Sequence, residues 1–370
     1  MMNEQTRVSM MTDEERVAFC KGLDVNDYRA IPGYWNEHLE EKIARIHALQ
    51  QEACTDGTSF GVIADFHFTV NCLHSPAMME KVLTECSIPY FFLAGDFVSG
   101  MGMVTPENLI NEIVTVRRLF NRIEDKMLVA QGNHDPAYST VPGHGYGESL
   151  THEQVYEYMF RFQTQYSNRT FGPGGTYFYA DDAANKMRYI VLDSHDTPND
   201  DLLEDGLPVY PKMTSLGFRQ EQISWFANVA LKVPASDWTV VLCTHETVIG
   251  DNEVYFNRDL VLGLIDAFRK HTAFEGTSSC SKPLYNASVS ADFTGAGGNF
   301  AVWVGGHTHR NLEQHPNGIL LLTTASDSFN AIGTIEEQAF DIFTINKKTH
   351  KLYATRIGRG ESREFSYDVF

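Results

Sequence analysis

Short apolar runs punctuate the chain, and several of them stop abruptly at residues able to bind a metal. Residues 60–64 (Phe-Gly-Val-Ile-Ala) end at Asp65, with His67 two positions on, and residues 89–94 end at Gly95-Asp96. Residues 127–130 lead into Gly132-Asn-His-Asp135, 238–244 into His245, and 300–305 into Gly306-His-Thr-His309. Runs of this length bounded by polar turns predict buried strands. Helical spacing fills the gaps: 35–51, with Leu39, Ile43, Ile46 and Leu49 on one face, then 76–86 behind an N-cap at Ser75, and 106–123. Further helices are predicted over 151–166, 218–231 and 259–271, and further strands over 188–193, 319–323, 339–345 and 351–356, the last two forming a hairpin.

Strand, helix, strand, helix, strand over 60–135 predicts an α/β sheet with crossover helices, whose strand ends converge on one edge. Residues 1–55 read as a helical extension packed on the core. Residues 56–370 read as one domain with glycine-rich or serine-rich loop insertions at about 137–185 and 246–298.

Composition narrows the function. The 370 residues include 29 basic and 48 acidic ones, a formal net charge of −19, which disfavours a broad grip on nucleic acid. No apolar run approaches the roughly 20 residues of a membrane span, and the six cysteines form no C-x-x-C pair. These features predict a cytoplasmic protein with reduced thiols and make extended nucleic acid the less favoured partner.

The candidate ligands mix carboxylate, amide and imidazole, without thiolate. A pair of divalent ions about 3.5–4 Å apart needs one shared ligand, which a carboxylate supplies well. Asp65 with His67, and His307 with His309, have the i, i+2 spacing that puts both side chains on one face of an extended chain. Two dications held by two aspartates and neutral donors keep a charge of about +2, suited to an anionic phosphate ester.

Together, Asp65-x-His67, Gly95-Asp96, Gly132-Asn-His-Asp135, His245 and Gly306-His-x-His309 resemble the motif set of the calcineurin-like metallophosphoesterase superfamily. The resemblance runs from about residue 60 to 310. It implies a four-layer α/β/β/α sandwich of two mixed sheets flanked by helices, with two metals at the strand ends. By carry-over, Asp65, His67, Asp96 and His309 hold the first metal; Asp96 bridges to the second, which Asn133, His245 and His307 complete. The ions implied are manganese, iron, zinc or cobalt, with manganese placed first. His134 is implied as general acid or transition-state stabiliser, with Asp135 orienting it, and the implied reaction is attack of a metal-bridging hydroxide on a phosphate mono- or diester.

Ser99 stands where a purple acid phosphatase would carry tyrosine, and the Arg-Gly signature of protein phosphatases is missing after Gly95-Asp96. Both classes are therefore disfavoured. A scaffold that keeps the fold without catalysis is the alternative, opposed by the complete motif set. The loop residues His74, Tyr138, His144, His195 and Asp196 are read as solvated, His195 being the one most open to a role at the site. Phe66 is read as packing.

Overall fold

The computed structural model describes residues 11–69, 71–100, 105–136, 149–198, 201, 203–204, 209–211, 215–249, 254–328 and 331–370. Its strands, in chain order, begin with β1 (Gly57–Ile63), β2 (Phe91–Ala94), β3 (Met127–Ala130), β4 (Arg169–Phe171) and β5 (Phe178–Asp182). They continue with β6 (Met187–Val191), β7 (Leu216–Gly217), β8 (Thr239–Cys243), β9 (Tyr255–Phe256), β10 (Ala273–Ser278) and β11 (Ala287–Asp292). The remaining strands are β12 (Asn299–Gly305), β13 (Glu313–Gln314), β14 (Leu321–Thr323), β15 (Ala339–Asn346), β16 (Lys351–Gly358) and β17 (Arg363–Ser366).

Two mixed sheets carry the fold, in the orders β17-β16-β15-β1-β2-β3 and β13-β14-β12-β8-β6-β5-β4. Each has a parallel block: β1, β2 and β3 at one end of the first, and β6, β8, β12 and β14 in the middle of the second. Parallel strands end at a common edge, so the residues that follow them are gathered there whatever their separation in sequence.

The apolar runs are continuous because both faces of each sheet are covered. Phe60 of β1 stacks on Phe343 with ring centroids 5.2 Å apart and meets Tyr189 of the other sheet at 5.8 Å. On the far side of β1, Ser59 receives a hydrogen bond from Gln50, which lies in α2 (Asn36–Ala53), behind α1 (Asp13–Gly22) in the chain. In the second sheet alternation sorts the residues: Met187, Tyr189 and Val191 join the core between the sheets. Ile190, Leu192, Val240 and Leu242 join a second core outside it.

Helices α3 (Ser75–Glu85) and α4 (Pro106–Leu119) make the crossovers β1 to β2 and β2 to β3. Helix α5 (His152–Val155) is a single turn, α6 (Gln220–Trp225) two, and α7 (Arg258–Arg269) lies against β12. No helix among the described residues is long and apolar enough to cross a membrane.

The structure departs from the sequence pattern in three places. Ser75 does not cap α3 but begins it, because its hydroxyl donates to both carboxylate oxygens of buried Asp327 (2.7 and 2.9 Å). The helix expected over 151–166 is α5 followed by a π-turn (Tyr156–Phe160) and a 3₁₀ turn (Arg161–Gln165), and that over 218–231 likewise passes from α6 into a π-turn. Finally, the stretches expected as loop insertions contain the edge strands β4 and β5 and a two-stranded ribbon, β10 with β11. Strand β11 alternates buried small residues with exposed ones, and β10 alternates half-buried and exposed ones, so neither forms an apolar run and the ribbon carries little hydrophobic signal.

Candidate metal centre

Each ligand-bearing turn is locked to its neighbour by the backbone. Asp65 N–H donates to Gly95 O (3.2 Å), His67 N–H to Asp96 O (2.9 Å), and Gly306 N–H to His245 O (2.8 Å). The side chains add further ties. Both oxygens of Asp65 accept from His307 N–H (3.0 and 3.1 Å), and Asp96 Oδ1 accepts from His134 N–H (2.9 Å). Asp65, His67, Asp96, His307 and His309 all adopt positive φ, between 51° and 67°. Non-glycine residues rarely do so, at a cost on the order of 1 kcal/mol each. Gly95 has φ +85°, and a Cβ there would sit 2.5 Å from His245 Nδ1. Only glycine fits that approach.

Seven of the nine predicted site residues place their donor atoms in two adjoining groups. Asp65, His67, Asp96 and His309 form the first group. His67 Nε2 lies 2.9 Å from His309 Nε2 and 3.8 Å from Asp96 Oδ2, and His309 Nε2 is 3.4 Å from Asp65 Oδ1. The second group gathers on Asn133: its Oδ1 is 3.0 Å from His245 Nε2 and 3.1 Å from His307 Nδ1. Asp96 Oδ2 is 3.1 Å from His245 Nε2, so this one carboxylate touches both groups.

The donor chemistry fits cations. A carbonyl can only accept, so His245 Nδ1 carries the proton it gives to Ala94 O (2.8 Å). Nε2 is left facing Asn133 Oδ1 and Asp96 Oδ2, three electron-rich atoms with nothing positive between them unless a proton or a metal enters. Without metal the proton is favoured. Although burial opposes charge on His245, Asp96, Glu246 and Asp65 raise its pKa well above the usual imidazole value. Burial would likewise lift the Asp96 carboxyl, but His245, His134 and His67 hold it well below the carboxylate range. His67 goes the other way, lowered to about 4 chiefly by burial, and His309 is raised by its bond to Asp65.

His134 stands apart from the ligand groups. Its Nδ1–H is held by Ser99 O, which leaves Nε2 4.0 Å from Asp96 Oδ2. Asp135 was expected to orient this imidazole, and the structure turns it elsewhere. Its carboxylate accepts the N–H groups of Gly132 (2.7 Å), Asp96 (3.0 Å), Phe97 (2.5 Å) and Val98 (3.4 Å). Asp135 shapes the turn that presents Asp96; the orienting partner of His134 is Ser99.

The loop residues also need correction. His195 and Asp196 are buried rather than solvated, His195 against Glu246 and Asp196 against Arg219 and Gln222. His74 packs beside Tyr28, Phe66 is core, and Tyr138 and His144 lie outside the described residues. Sequence reasoning passed over Glu246, fully buried within the second group. The one signal in the sequence is that it directly follows His245 at a strand end; that β6, which ends before Ser194-His195, lies alongside is seen only in the fold.

Comparison with known proteins identifies the arrangement. The family model of calcineurin-like phosphoesterases matches residues 58–311, more than half of the sequence and every ligand-bearing turn. The chain belongs to the calcineurin-like phosphoesterase family. A dimetal phosphatase from Danio rerio shares the phosphoesterase fold at 13% identity, covering 84% of this chain and 99% of that one with a TM-score of 0.52. Phosphopantetheinyl hydrolase from Mycobacterium tuberculosis is similar at 12% identity over 74% of this chain and 91% of that one, with a TM-score of 0.28. Separately, 115 residues are 30% identical to ribosomal RNA small subunit methyltransferase G of Streptococcus pneumoniae, 28% of this chain and 48% of that protein. The chain thus spans about half the length of the curated relatives it matches, too small a share to displace the phosphoesterase assignment.

Proposed function

We propose that this phosphoesterase hydrolyses a small phosphate mono- or diester with two divalent ions, manganese being the first candidate. Asp65, His67, Asp96 and His309 would hold one ion; Asp96, Asn133, His245 and His307 would hold the other. The observation that carries the reading is the single Asp96 carboxylate reaching donors of both groups. Bound there, divalent ions would polarise phosphoryl oxygens and bring water's pKa toward neutrality.

The chain's own residues supply the rest. Asp65 and Asp96 offset part of the metal charge while leaving the centre positive enough for an anionic ester. His134 acts from Nε2: with Nδ1–H committed to Ser99 O, a second ring proton has only Nε2 to occupy, and it is given to the leaving oxygen. Its imidazole is partly open, with 15% of the side chain accessible, against none for His245. Six free thiols, Cys54 among them exposed, support a reducing, cytoplasmic setting.

The test is hydrolysis of bis(p-nitrophenyl) phosphate and p-nitrophenyl phosphate after chelation and manganese readdition. Metal-dependent turnover is expected, abolished in Asp96→Asn together with metal content, and reduced about 10²–10⁴-fold in His134→Ala with both ions retained. Two bound ions without turnover of any phosphate ester would leave the scaffold role. A protein that binds no metal would end the proposal.

A further inference from the structure

The second ligand group has an anionic side that the motif set does not contain. Glu246 is fully buried, and its Oε1 lies 3.3 Å from His307 Nδ1, the same nitrogen that stands 3.1 Å from Asn133 Oδ1. Neighbouring ligands of one ion, each bound at about 2.1 Å, are separated by about 3 Å in octahedral geometry. Donor atoms of His245, Glu246 and His307 all fall within 4.8 Å of one another. The carboxylate is held from behind. Ser194 Oγ donates to Oε2 at 2.7 Å, and His195 Nε2 lies 2.8 Å from Oε1 and 2.7 Å from Oε2. These partners follow β6, whose Val191 pairs with Cys243 of β8, so strand register itself brings Ser194-His195 alongside Glu246. A carboxylate buried this completely requires cationic or hydrogen-bonding partners on every side. Ser194 and His195 serve the back, and the remaining side of the carboxylate faces His307 Nδ1.

We propose that Glu246 is an additional anionic ligand of the second metal, with Ser194 and His195 as its positioning residues. The inference rests on the two-metal reading above. It gives the second ion five protein ligands, Asp96, Asn133, His245, His307 and Glu246, and so favours ions that take five or six ligands over tetrahedral zinc.

The test uses the whole protein, stripped by a chelator and titrated with Mn²⁺ alone, with bound metal read by elemental analysis. Wild type, Glu246→Gln, His195→Gln and Ser194→Ala are compared, and circular dichroism of the metal-free forms establishes that each is folded. Wild type is expected to bind two ions. Glu246→Gln should keep the first and bind the second about 10- to 100-fold more weakly, with smaller losses in the two positioning variants. Cobalt-loaded Glu246→Gln should also show stronger d–d absorption as the coordination number falls, a change that loss of packing would not produce. Folded Glu246→Gln with wild-type affinity for both ions, or with unchanged cobalt bands, overturns the inference. Should that variant not fold, wild-type second-site affinity in both His195→Gln and Ser194→Ala overturns it equally. Fewer than two ions in wild type would instead refute the two-metal reading beneath it.

Discussion

Asn in place of Asp135 would turn an amide NH₂ toward backbone N–H groups that already donate to the carboxylate. Burial and the neighbouring Asp96 push the Asp135 carboxyl up to about 7; hydrogen bonds contribute about 1 kcal/mol each to a neutral acceptor and about 1.5–3 kcal/mol to a charged one, and Gly132, Asp96, Phe97 and Val98 all use this one. Asp135→Asn is therefore expected to lower stability by about 2–3 kcal/mol in denaturant unfolding and to weaken metal binding, since the displaced turn carries Asp96. An unchanged unfolding midpoint with altered His134 chemistry would restore the orienting role. At this scale the candidate ligands were legible in the sequence, because each stands where an apolar run stops, and the structure brings seven of them together. The partners were not. Whether a carboxylate after His134 reaches the imidazole or the preceding backbone depends on the path of two turns from different strands. Glu246 was obscured for a related reason: a glutamate in a loop reads as solvated until the neighbouring strand's Ser194 and His195 are seen to enclose it.

Elements place these side chains by fitting closely at their ends. The turn after β3 passes so near the turn after β2 that a Cβ on Gly132 would lie 2.1 Å from Asp96 Oδ1 and 2.3 Å from its amide nitrogen. Gly132→Ala must push Asp96 out of the shared position. It is expected to lose metal and activity together while the strands persist, seen as a near-native far-ultraviolet spectrum with a depleted metal content. Retention of both ions would show that the two turns have more room than their spacing allows. Strands buried on both faces were legible because they leave continuous apolar runs, as in β1, β2, β3, β8 and β12. Edge elements were not. In β10 and β11 only one face is covered, by small residues and Phe274, and β4 and β5 flank a glycine-rich turn whose composition reads as loop. The π-turns after α5 and α6 likewise leave the helical spacing intact in sequence while altering the hydrogen bonds.

Across the whole molecule the centre lies on the seam between two sheets, and its protonation is linked to folding. In the metal-free protein, burial lowers His67 to about 4, below the 6.5 or so of an unfolded imidazole. Its contribution is complete above about pH 6.5 and is lost as pH falls toward 4. His245 and His309 are raised, so theirs is complete below that pH and lost as pH climbs through their folded values. The contribution of these three histidines to the metal-free protein should therefore peak near pH 6–7, and metal bound in place of protons on His245 and His309 should extend it to higher pH, while the buried carboxyls of Glu112, Asp135 and Asp327, pushed up to about 7, oppose stability as pH rises toward that value. Chelation at pH 8 is expected to remove about 3 kcal/mol for each site previously filled a hundredfold above its dissociation constant. Thermal melts with and without manganese across pH 5–9 test this, and superimposable profiles would refute it. The two-sheet plan with its gathered strand ends was legible from the spacing of runs and motifs; the seam itself, Phe60 on Phe343 and Tyr189, was not, since every buried aromatic in a run looks alike.

The pairing of β1 with β15 has a consequence for biosynthesis. β1 carries Phe60 and Val62 and leads directly to Asp65 and His67, yet its antiparallel neighbour spans Ala339–Asn346. A ribosome adding about 5–20 residues each second takes on the order of half a minute to travel from one to the other. Throughout that interval the nascent chain presents an unpaired, apolar strand edge, and the first candidate ligand group stays incomplete until His309 emerges. The first sheet is consequently completed late: the edge of β1 that β15 covers stays open until residues 339–346 are available to pair with it.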